Sequence, residues 1–258
     1  MFAGGKRPDR ADIRSFADAQ RAVSVSYDPM VGAPLHLVSA DGEQVGSQPE
    51  AQHESEDTLW LELLYNGLTF DLQGLAPGPG YDFPQIEHRF DLDKKNSAFR
   101  CDAMRLIPGQ HLVSGQATMP VVKGMIALAR DLTHQFDDLA GVVWPPSASA
   151  IGRQFFESVS TAWLEGGAFP ALGLTAFRET IDGAMQSVGL DFWIGQELRI
   201  EPPLSNDRVA ATRLGVRLVN QLVLVGGLEQ SERITAPDGT LLVMRPSRNG
   251  KFVRVWRE

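Results

Sequence analysis

The stretch TLWLELLYNGLTFDLQGL, residues 58–75, decides the fold, because the pair Asn66-Gly67 separates two apolar runs within it. Asn-Gly favours a type I′ turn, in which both central residues need a positive φ. On either side of the pair, apolar and polar residues alternate as they do in half-buried strands. The proline- and glycine-rich residues 76–84 then end the pattern, since proline removes a backbone donor. This part of the sequence therefore predicts an antiparallel β-hairpin.

Downstream of the hairpin, strand-like and helical patterns alternate. A helix near Pro120 is predicted by an apolar stripe that consists of Val121, Met125, Leu128, Leu132 and Phe136. AGVVW, residues 140–144, predicts a short buried strand, and Ser149 is expected to cap a second helix. The apolar face of that helix would consist of Ile151, Phe155, Val159 and Trp163. A third helix, capped by Ser205 or Asn206, would carry Val209, Leu214, Leu218, Leu222 and Val225.

Hairpin signals return near the C-terminal end, at Asp238-Gly239 and Asn249-Gly250. Because strands alternate with helices only in the middle of the chain, the predicted class is α+β. We expect a mixed or largely antiparallel sheet that is packed by about three main helices, with hairpins at both ends. Residues 1–95 would form a β-rich region with a short leading helix, and residues 96–258 an α+β domain. One continuous domain is the alternative.

Composition limits the classes of protein to which the chain can belong. With 258 residues, 43% of them hydrophobic, the chain can bury a core without disulfides or a structural metal. The single cysteine, Cys101, excludes an intramolecular disulfide framework and a cysteine-rich metal site. The sequence has no signal-peptide pattern and no apolar run of membrane-spanning length, so we expect a cytoplasmic protein without membrane contact. The net charge of -8 disfavours nucleic acid as a partner.

Charge is unevenly distributed along the chain. Residues 41–57 contain six acidic residues and no lysine or arginine, whereas the C-terminal stretch carries Arg245, Arg248, Lys251, Arg254 and Arg257. The final hairpin is expected to bury one face and to display a basic stripe on the other. We expect this stripe to face acidic groups, either in residues 41–57 or in a neighbouring subunit.

Familiar catalytic motifs are missing from the sequence, which has no phosphate-binding loop, nucleophile elbow or HExxH zinc motif. Metal-ligand residue types are densest in EHRFDLD, where a divalent cation could bind to His88, Asp91 and Asp93. The competing interpretation is a solvated polar edge whose acidic groups pair with Arg89, Lys94 and Lys95. No cofactor is predicted.

Scattered residues provide the remaining candidates for chemistry. The catalytic candidates are Asp191, Glu197 and His111, grouped around a pocket bounded by Trp144 and Trp193. A carboxyl group beside an aromatic ring can have a raised pKa, which suits a general acid. The competing interpretation is that these carboxylates, together with Glu201, form the polar side of a half-exposed strand.

Binding candidates are the same two tryptophans and two arginines on the third predicted helix. Arg213 and Arg217 are one helical turn apart and could clamp a carboxylate of a ligand. Ordinary ion pairs with Asp207 and Glu201 are the alternative for these arginines.

Four short strings resemble segments of a family of uncharacterised bacterial domains of unknown function. The strings are RLIPGQHLVSG, AGVVWPPS, LGLTAF and ELRIEP, and the resemblance covers roughly residues 97–239. The family is loosely associated with toxin-immunity modules, so the resemblance implies protein binding. It implies no catalytic residues.

Together these observations favour a non-catalytic, cytoplasmic bacterial protein that acts by binding another protein, with an immunity-like role. Nucleic acid and membrane are not expected as partners, and self-association into a homo-oligomer is left open. The alternative is a hydrolase-type enzyme whose site is assembled from scattered carboxylates and a histidine.

Overall fold

The hairpin predicted at Asn66-Gly67 lies within an N-terminal antiparallel sheet. The computed structural model describes residues 1–31, 59–92, 101–236 and 238–258. The elements of this part are β1 (Phe2–Ala3), α1 (Arg10–Ala19), β2 (Val23–Tyr27), β3 (Trp60–Tyr65), β4 (Leu68–Gln73), β5 (His88–Phe90), β6 (Cys101–Asp102) and β7 (Arg105–Pro108). The sheet has the order β2-β3-β4-β7. Asn66 and Gly67 have φ values of 49° and 83°, as a type I′ turn requires, and the predicted hairpin is confirmed.

The middle of the chain contains two helices that pack against each other and a small mixed sheet that contacts the second of them. Its elements are α2 (Met119–Gln135), β8 (Gly141–Trp144), β9 (Ser149–Gly152), α3 (Arg153–Leu164) and a helical turn, α4 (Ala171–Leu174). The sheet order is β5-β9-β8, with β5 parallel to β9 and β8 antiparallel to it. A 3₁₀ turn, Gln110–Gly115, lies between β7 and α2.

The C-terminal part forms a six-stranded sheet covered by one long helix. Its elements are β10 (Ala176–Glu179), β11 (Met185–Val188), α5 (Asp191–Ile194), β12 (Glu197–Ile200), α6 (Arg208–Val225), β13 (Glu232–Thr235), β14 (Leu241–Pro246) and β15 (Phe252–Arg257). The order is β10-β11-β12-β15-β14-β13, and only β12 and β15 run parallel. Helices thus pack on mixed and antiparallel sheets, so the predicted α+β class is confirmed.

Helix α2 contributes to both hydrophobic cores of the molecule. Val122 and Ile126 belong to the larger core, which is built around α6 and the six-stranded sheet. Leu128 and Leu132 belong to the smaller core, beneath α1 and the N-terminal sheet. The predicted stripe therefore faces the smaller core, and the residues of α2 that face the larger core, Val122 and Ile126, lie beside it. None of the helices in the described residues is long and apolar enough to cross a membrane.

Several local predictions are wrong at helix starts. Ser149 does not cap a helix: it lies in β9, and α3 begins four residues later at Arg153. The buried face of α3 consequently shifts to Phe156, Ser160 and Trp163. The cap of α6 is Asp207, whose carboxylate accepts hydrogen bonds from the N–H groups of Val209 and Ala210.

The ends of the predicted third stripe are also wrong. Val209 and Val225 are 61% and 64% exposed, because they lie at the two ends of α6, beyond the sheet that buries its centre. Residues 191–194, expected in a strand, form the short helix α5 instead.

The basic stripe of the final hairpin faces an acidic residue of the same chain. Val253 and Val255 of β15 are fully buried, and Arg254 lies on the opposite face of the strand. Its guanidinium Nε donates to the Glu201 carboxylate at 2.6 Å. Glu201 is neither of the expected partners: residues 41–57 lie outside the described residues, and a neighbouring subunit remains a prediction.

Candidate functional site

An apolar cavity of about 870 Å³ lies where the N-terminal sheet, α2 and β8 meet. One wall is β7 with the preceding Met104, and another is β8 with the prolines that follow it, Pro145 and Pro146. Helix α2 contributes Met125, Ile126 and Ala129. The lining is predominantly apolar, and the volume is within the usual range for ligand sites.

Polar groups at the cavity are few, and the hydroxyls are already engaged. The hydroxyl of Tyr81 donates to the Gln73 side chain at 2.8 Å, and that of Thr133 donates to the Ala129 carbonyl at 2.6 Å. Among the residues that line the cavity, only Asp82 and Arg105 have charged side chains. Such a lining can bind apolar groups, but it offers neither a paired nucleophile and base nor a metal-ligand set.

Two strand edges border this cavity, because β7 and β8 are each the last strand of their sheet. Among the described strands, β7 pairs with β4 alone and β8 with β9 alone, although the amino group of Met1 contacts the first residue of β8, Gly141. Edge strands present backbone N–H and C=O groups that no neighbouring strand uses. The cavity therefore combines apolar walls with backbone groups available for hydrogen bonding.

Trp144 and Trp193, predicted as boundaries of a pocket, are brought together in one aromatic cluster. Their rings stack at a centroid distance of 5.8 Å, and Trp163 and Phe169 pack edge-on against Trp193. Trp144 lines the cavity, as does Phe192 of α5. The indole nitrogens of both stacked tryptophans are buried and have no hydrogen-bond partner in the described part of the chain. Trp144 and Phe192 of this cluster form one end wall of the cavity.

Asp191 and Glu197, two of the catalytic candidates, also lie together, at the turn between β11 and α5. The Glu197 carboxylate accepts hydrogen bonds from the Ser187 hydroxyl and from the N–H groups of Gly189, Leu190 and Asp191. Burial raises the pKa of Glu197, and the neighbouring Asp191 acts in the same direction. Through these hydrogen bonds, Glu197 stabilises the turn between β11 and α5.

His111, the third catalytic candidate, lies on another element. It is exposed in the 3₁₀ turn before α2, where its ring nitrogens are 3.3 and 3.4 Å from the Thr69 hydroxyl. None of the three catalytic candidates lines the apolar cavity.

Two of the three metal candidates lie within the described residues. His88 lies on β5 with a buried Nε2, and Asp91 follows that strand with a φ of 49°, whereas Asp93 lies outside the described residues. Within the described ranges, no three His, Cys, Asp or Glu side chains are grouped to hold a metal.

Arg213 and Arg217 are both exposed on α6. Their expected local partners are engaged elsewhere. Asp207 caps α6, and Glu201 binds Arg199 and Arg254.

Comparison of the chain with protein-family models, with curated proteins and with solved structures found no match. The candidate site therefore depends on geometry alone. The sequence patterns missed its main residues, among them Ile107, Ala129 and Val143. Their apolar character is typical of any core, and only Ile107 and Val143 are distinguished, by their positions on the edge strands β7 and β8. Pro108 and the pair Pro145-Pro146 were the available signals, since proline within or after a strand indicates an edge.

Proposed function

We propose that the protein is a non-catalytic binding protein and that the apolar cavity takes an apolar segment of another protein. The observation that carries this proposal is a cavity of about 870 Å³ whose lining is apolar and whose hydroxyls are internally hydrogen-bonded. Apolar concave surfaces of this size are typical of recognition sites. An immunity-like, cytoplasmic role is part of the same proposal. The resemblance of the four sequence strings supports the immunity-like role, and the single cysteine fits a reducing compartment such as the cytoplasm.

Binding is favoured over hydrolysis by the positions of the residues that could perform chemistry. Glu197 is held by one hydroxyl and backbone N–H groups, and His111 lies on a different element from Asp191 and Glu197. A general acid or base needs to be within hydrogen-bond reach of the group on which it acts. These three residues therefore support a structural role better than a shared catalytic one.

The test uses peptides as probes. A display library of random peptides about ten residues long, the length of a long strand, is selected on the immobilised protein. We expect enrichment of apolar sequences, and the best peptide is then synthesised with a fluorophore for polarisation measurements. In the variant Ala129→Phe, the added ring projects into the cavity from α2 and occupies part of the space for the peptide, which should bind at least roughly tenfold more weakly.

The matched control places the same substitution on an exposed helical site. Ala162 lies on α3 and is exposed, and it does not line the cavity, so Ala162→Phe should leave the affinity unchanged. Far-UV circular dichroism and thermal unfolding establish that both variants fold. A second filling variant, Val143→Phe, approaches the cavity from β8 and should weaken binding as well. Failure to enrich any peptide, or equal binding to all variants, would contradict the proposal.

A further inference from the structure

We propose that the partner segment binds in the cavity as an extended strand that adds to the free edge of β7 and faces the free edge of β8. This inference rests on the proposed function, because it specifies the conformation of the segment that the cavity accepts. In β-strand addition, main-chain hydrogen bonds supply affinity, and pockets for alternate side chains supply specificity.

The register of β7 shows which of its backbone groups face the cavity. The Gly109 N–H donates to the Thr69 carbonyl at 2.8 Å. Hydrogen-bonded pairs alternate along an antiparallel ladder, so Ile107 and Arg105 also direct their backbone groups towards β4. Leu106, opposite Leu72, therefore directs its N–H and C=O towards the free edge. No described strand pairs with that edge.

Pro108 is consistent with this assignment. It lies two residues after Leu106 and opposite Phe70, at a position whose N–H would point away from β4. Proline within a sheet is confined to positions of this kind, because it has no N–H for the ladder. The free edge of β7 thus offers the N–H and C=O of Leu106 and the C=O of Pro108.

The edge of β8 already pairs with an extended segment at one end. The amino group of Met1 donates to the Gly141 carbonyl at 2.9 Å, and Phe2 lies opposite Leu139 in an antiparallel bridge. By the alternation of the β8–β9 ladder, Val143 directs its N–H and C=O to this same edge, two residues further along. Both Val143 and the β7 residues line the cavity, so the remaining open edge of β8 faces it.

Unpaired edges favour a polypeptide over a small apolar molecule as the occupant. A purely apolar ligand would remove the N–H groups of Leu106 and Val143 from water without replacing their hydrogen bonds. An extended peptide supplies backbone donors and acceptors at the spacing of a strand, and its alternate side chains can contact Met125 and Ala129 of α2. The chemistry of the site therefore fits an apolar strand of a partner protein.

The test scans the backbone of the peptide selected on the wild-type protein. Each residue in turn is replaced by its N-methyl form, which removes one amide donor and blocks strand pairing. We expect affinity to fall at least roughly tenfold at residues i and i+2 of the peptide, whose N–H groups meet the C=O groups of Leu106 and Pro108. The same loss is expected at one residue of the opposite direction, whose N–H meets the C=O of Val143, and little change at the other residues, because strand N–H groups alternate in direction. Loss at intervals of three and four, or at no position, would overturn the inference.

Variants of the protein provide the second measurement. Leu106→Pro removes the outward N–H of β7 and leaves its bonds to β4, whereas Leu106→Ala shortens the side chain and keeps the N–H. Peptide affinity should fall roughly tenfold further in Leu106→Pro than in Leu106→Ala. Val143→Pro and Val143→Ala make the same comparison on β8, and peptide affinity should again fall further in the proline variant. Equal affinities within both pairs would contradict strand addition.

The two proposals fail in different ways. If Ala129→Phe weakens peptide binding but N-methylation shows no alternation, the cavity is a protein-binding site and strand addition is wrong. If Ala129→Phe has no effect, or no peptide is enriched, both the proposed function and this inference are contradicted.

Discussion

The Glu197 carboxylate accepts a hydrogen bond from the backbone N–H of Gly189 at 2.7 Å and thereby fixes the turn that precedes α5. Gly189 has a φ of +85°, and a Cβ at this position would lie 2.7 Å from the Pro146 carbonyl oxygen. The turn therefore packs directly against the segment that ends β8. This contact positions Phe192 and Trp193 beside Trp144. Glu197, which the sequence suggested as a catalytic residue, therefore helps to form the end wall of the cavity.

Glu197 should give the protein a measurable pH dependence. Burial raises its pKa above the ordinary value of 4.5, so the native state keeps the proton at pH values where the unfolded state has lost it. The contribution of Glu197 is therefore fully present below pH 4.5 and is lost as pH rises through the raised native pKa. Urea unfolding across this interval should show wild type losing stability relative to Glu197→Gln as pH increases.

An exposed glutamate is the control for this measurement. Glu229 lies in the loop after α6 and is exposed, so Glu229→Gln should change the free energy of unfolding by less than about 0.5 kcal/mol. Parallel stability curves for wild type and Glu197→Gln would show that Glu197 titrates alike in the native and unfolded states.

Asp28 should show the opposite pH dependence. Its carboxylate is only 6% exposed and binds Arg10 and Arg14, which lie one turn apart on α1. Burial alone would raise the pKa of Asp28, but the bonds from Arg14, the Met30 N–H and Arg10 outweigh it and lower the pKa below 3.8. The stabilisation is therefore present above pH 3.8 and is lost as pH falls through the lowered native pKa.

Replacement of Asp28 leaves two arginines without their carboxylate. We expect Asp28→Asn to reduce the free energy of unfolding at neutral pH by about 2 kcal/mol, since hydrogen bonds to charged groups are the stronger ones. Asp18 is exposed on α1, the helix that carries both arginines, and Asp18→Asn should change the free energy of unfolding by less than about 0.5 kcal/mol. Similar losses in the two variants, measured by urea unfolding, would contradict this assignment.

Local signals in the sequence were sufficient for the hairpin and for most of α2. Asn66-Gly67 specifies a turn by its own backbone preferences, and the stripe from Val121 to Leu132 is buried as its spacing predicts, with Met125 only partly so. Both features depend on residues close together in the chain, so no knowledge of distant contacts was needed.

Features determined by distant contacts were not predictable. Ser149 has the residue type of a helix cap, but pairing of β9 with β5 and β8 holds it in a strand, where its hydroxyl donates to the Ser147 carbonyl at 3.2 Å. The cavity combines residues from β7, α2 and β8, and strand pairing decides which of their backbone groups remain free. Neither spacing nor composition records that pairing.

At Gly215, substitution by alanine should destabilise the protein, although the same substitution normally stabilises a helix. Alanine normally stabilises a helix interior by about 1 kcal/mol relative to glycine. At Gly215 of α6, however, an added Cβ would lie 2.6 Å from Cε1 of the Phe177 ring on β10. We expect Gly215→Ala to lower the free energy of unfolding by about 1 to 3 kcal/mol, because the helix must move away from the sheet.

The double variant Gly215→Ala/Phe177→Leu tests the cause of this loss. The smaller side chain removes the ring that the new methyl group would meet, so the cost of Gly215→Ala should shrink or change sign in that background. A gain in stability from Gly215→Ala alone would show that α6 and β10 are further apart than the structure has them.

The ion pair between Arg254 and Glu201 should stabilise the protein more than an exposed pair on the same sheet. Glu201 is 8% exposed and its Oε1 lies 2.6 Å from Arg254 Nε, whereas Arg233 and Glu258 are 77% and 36% exposed at a similar distance. Double-mutant cycles with Arg254→Met and Glu201→Gln should give a coupling energy of about 1 kcal/mol, which half-exposure of Arg254 keeps modest. Cycles with Arg233→Met and Glu258→Gln should give less than about 0.5 kcal/mol.

Added salt should weaken the exposed pair more strongly, because burial of Glu201 limits screening. Equal couplings with equal salt dependence would mean that solvent reaches both pairs alike and that Glu201 does not anchor the basic stripe.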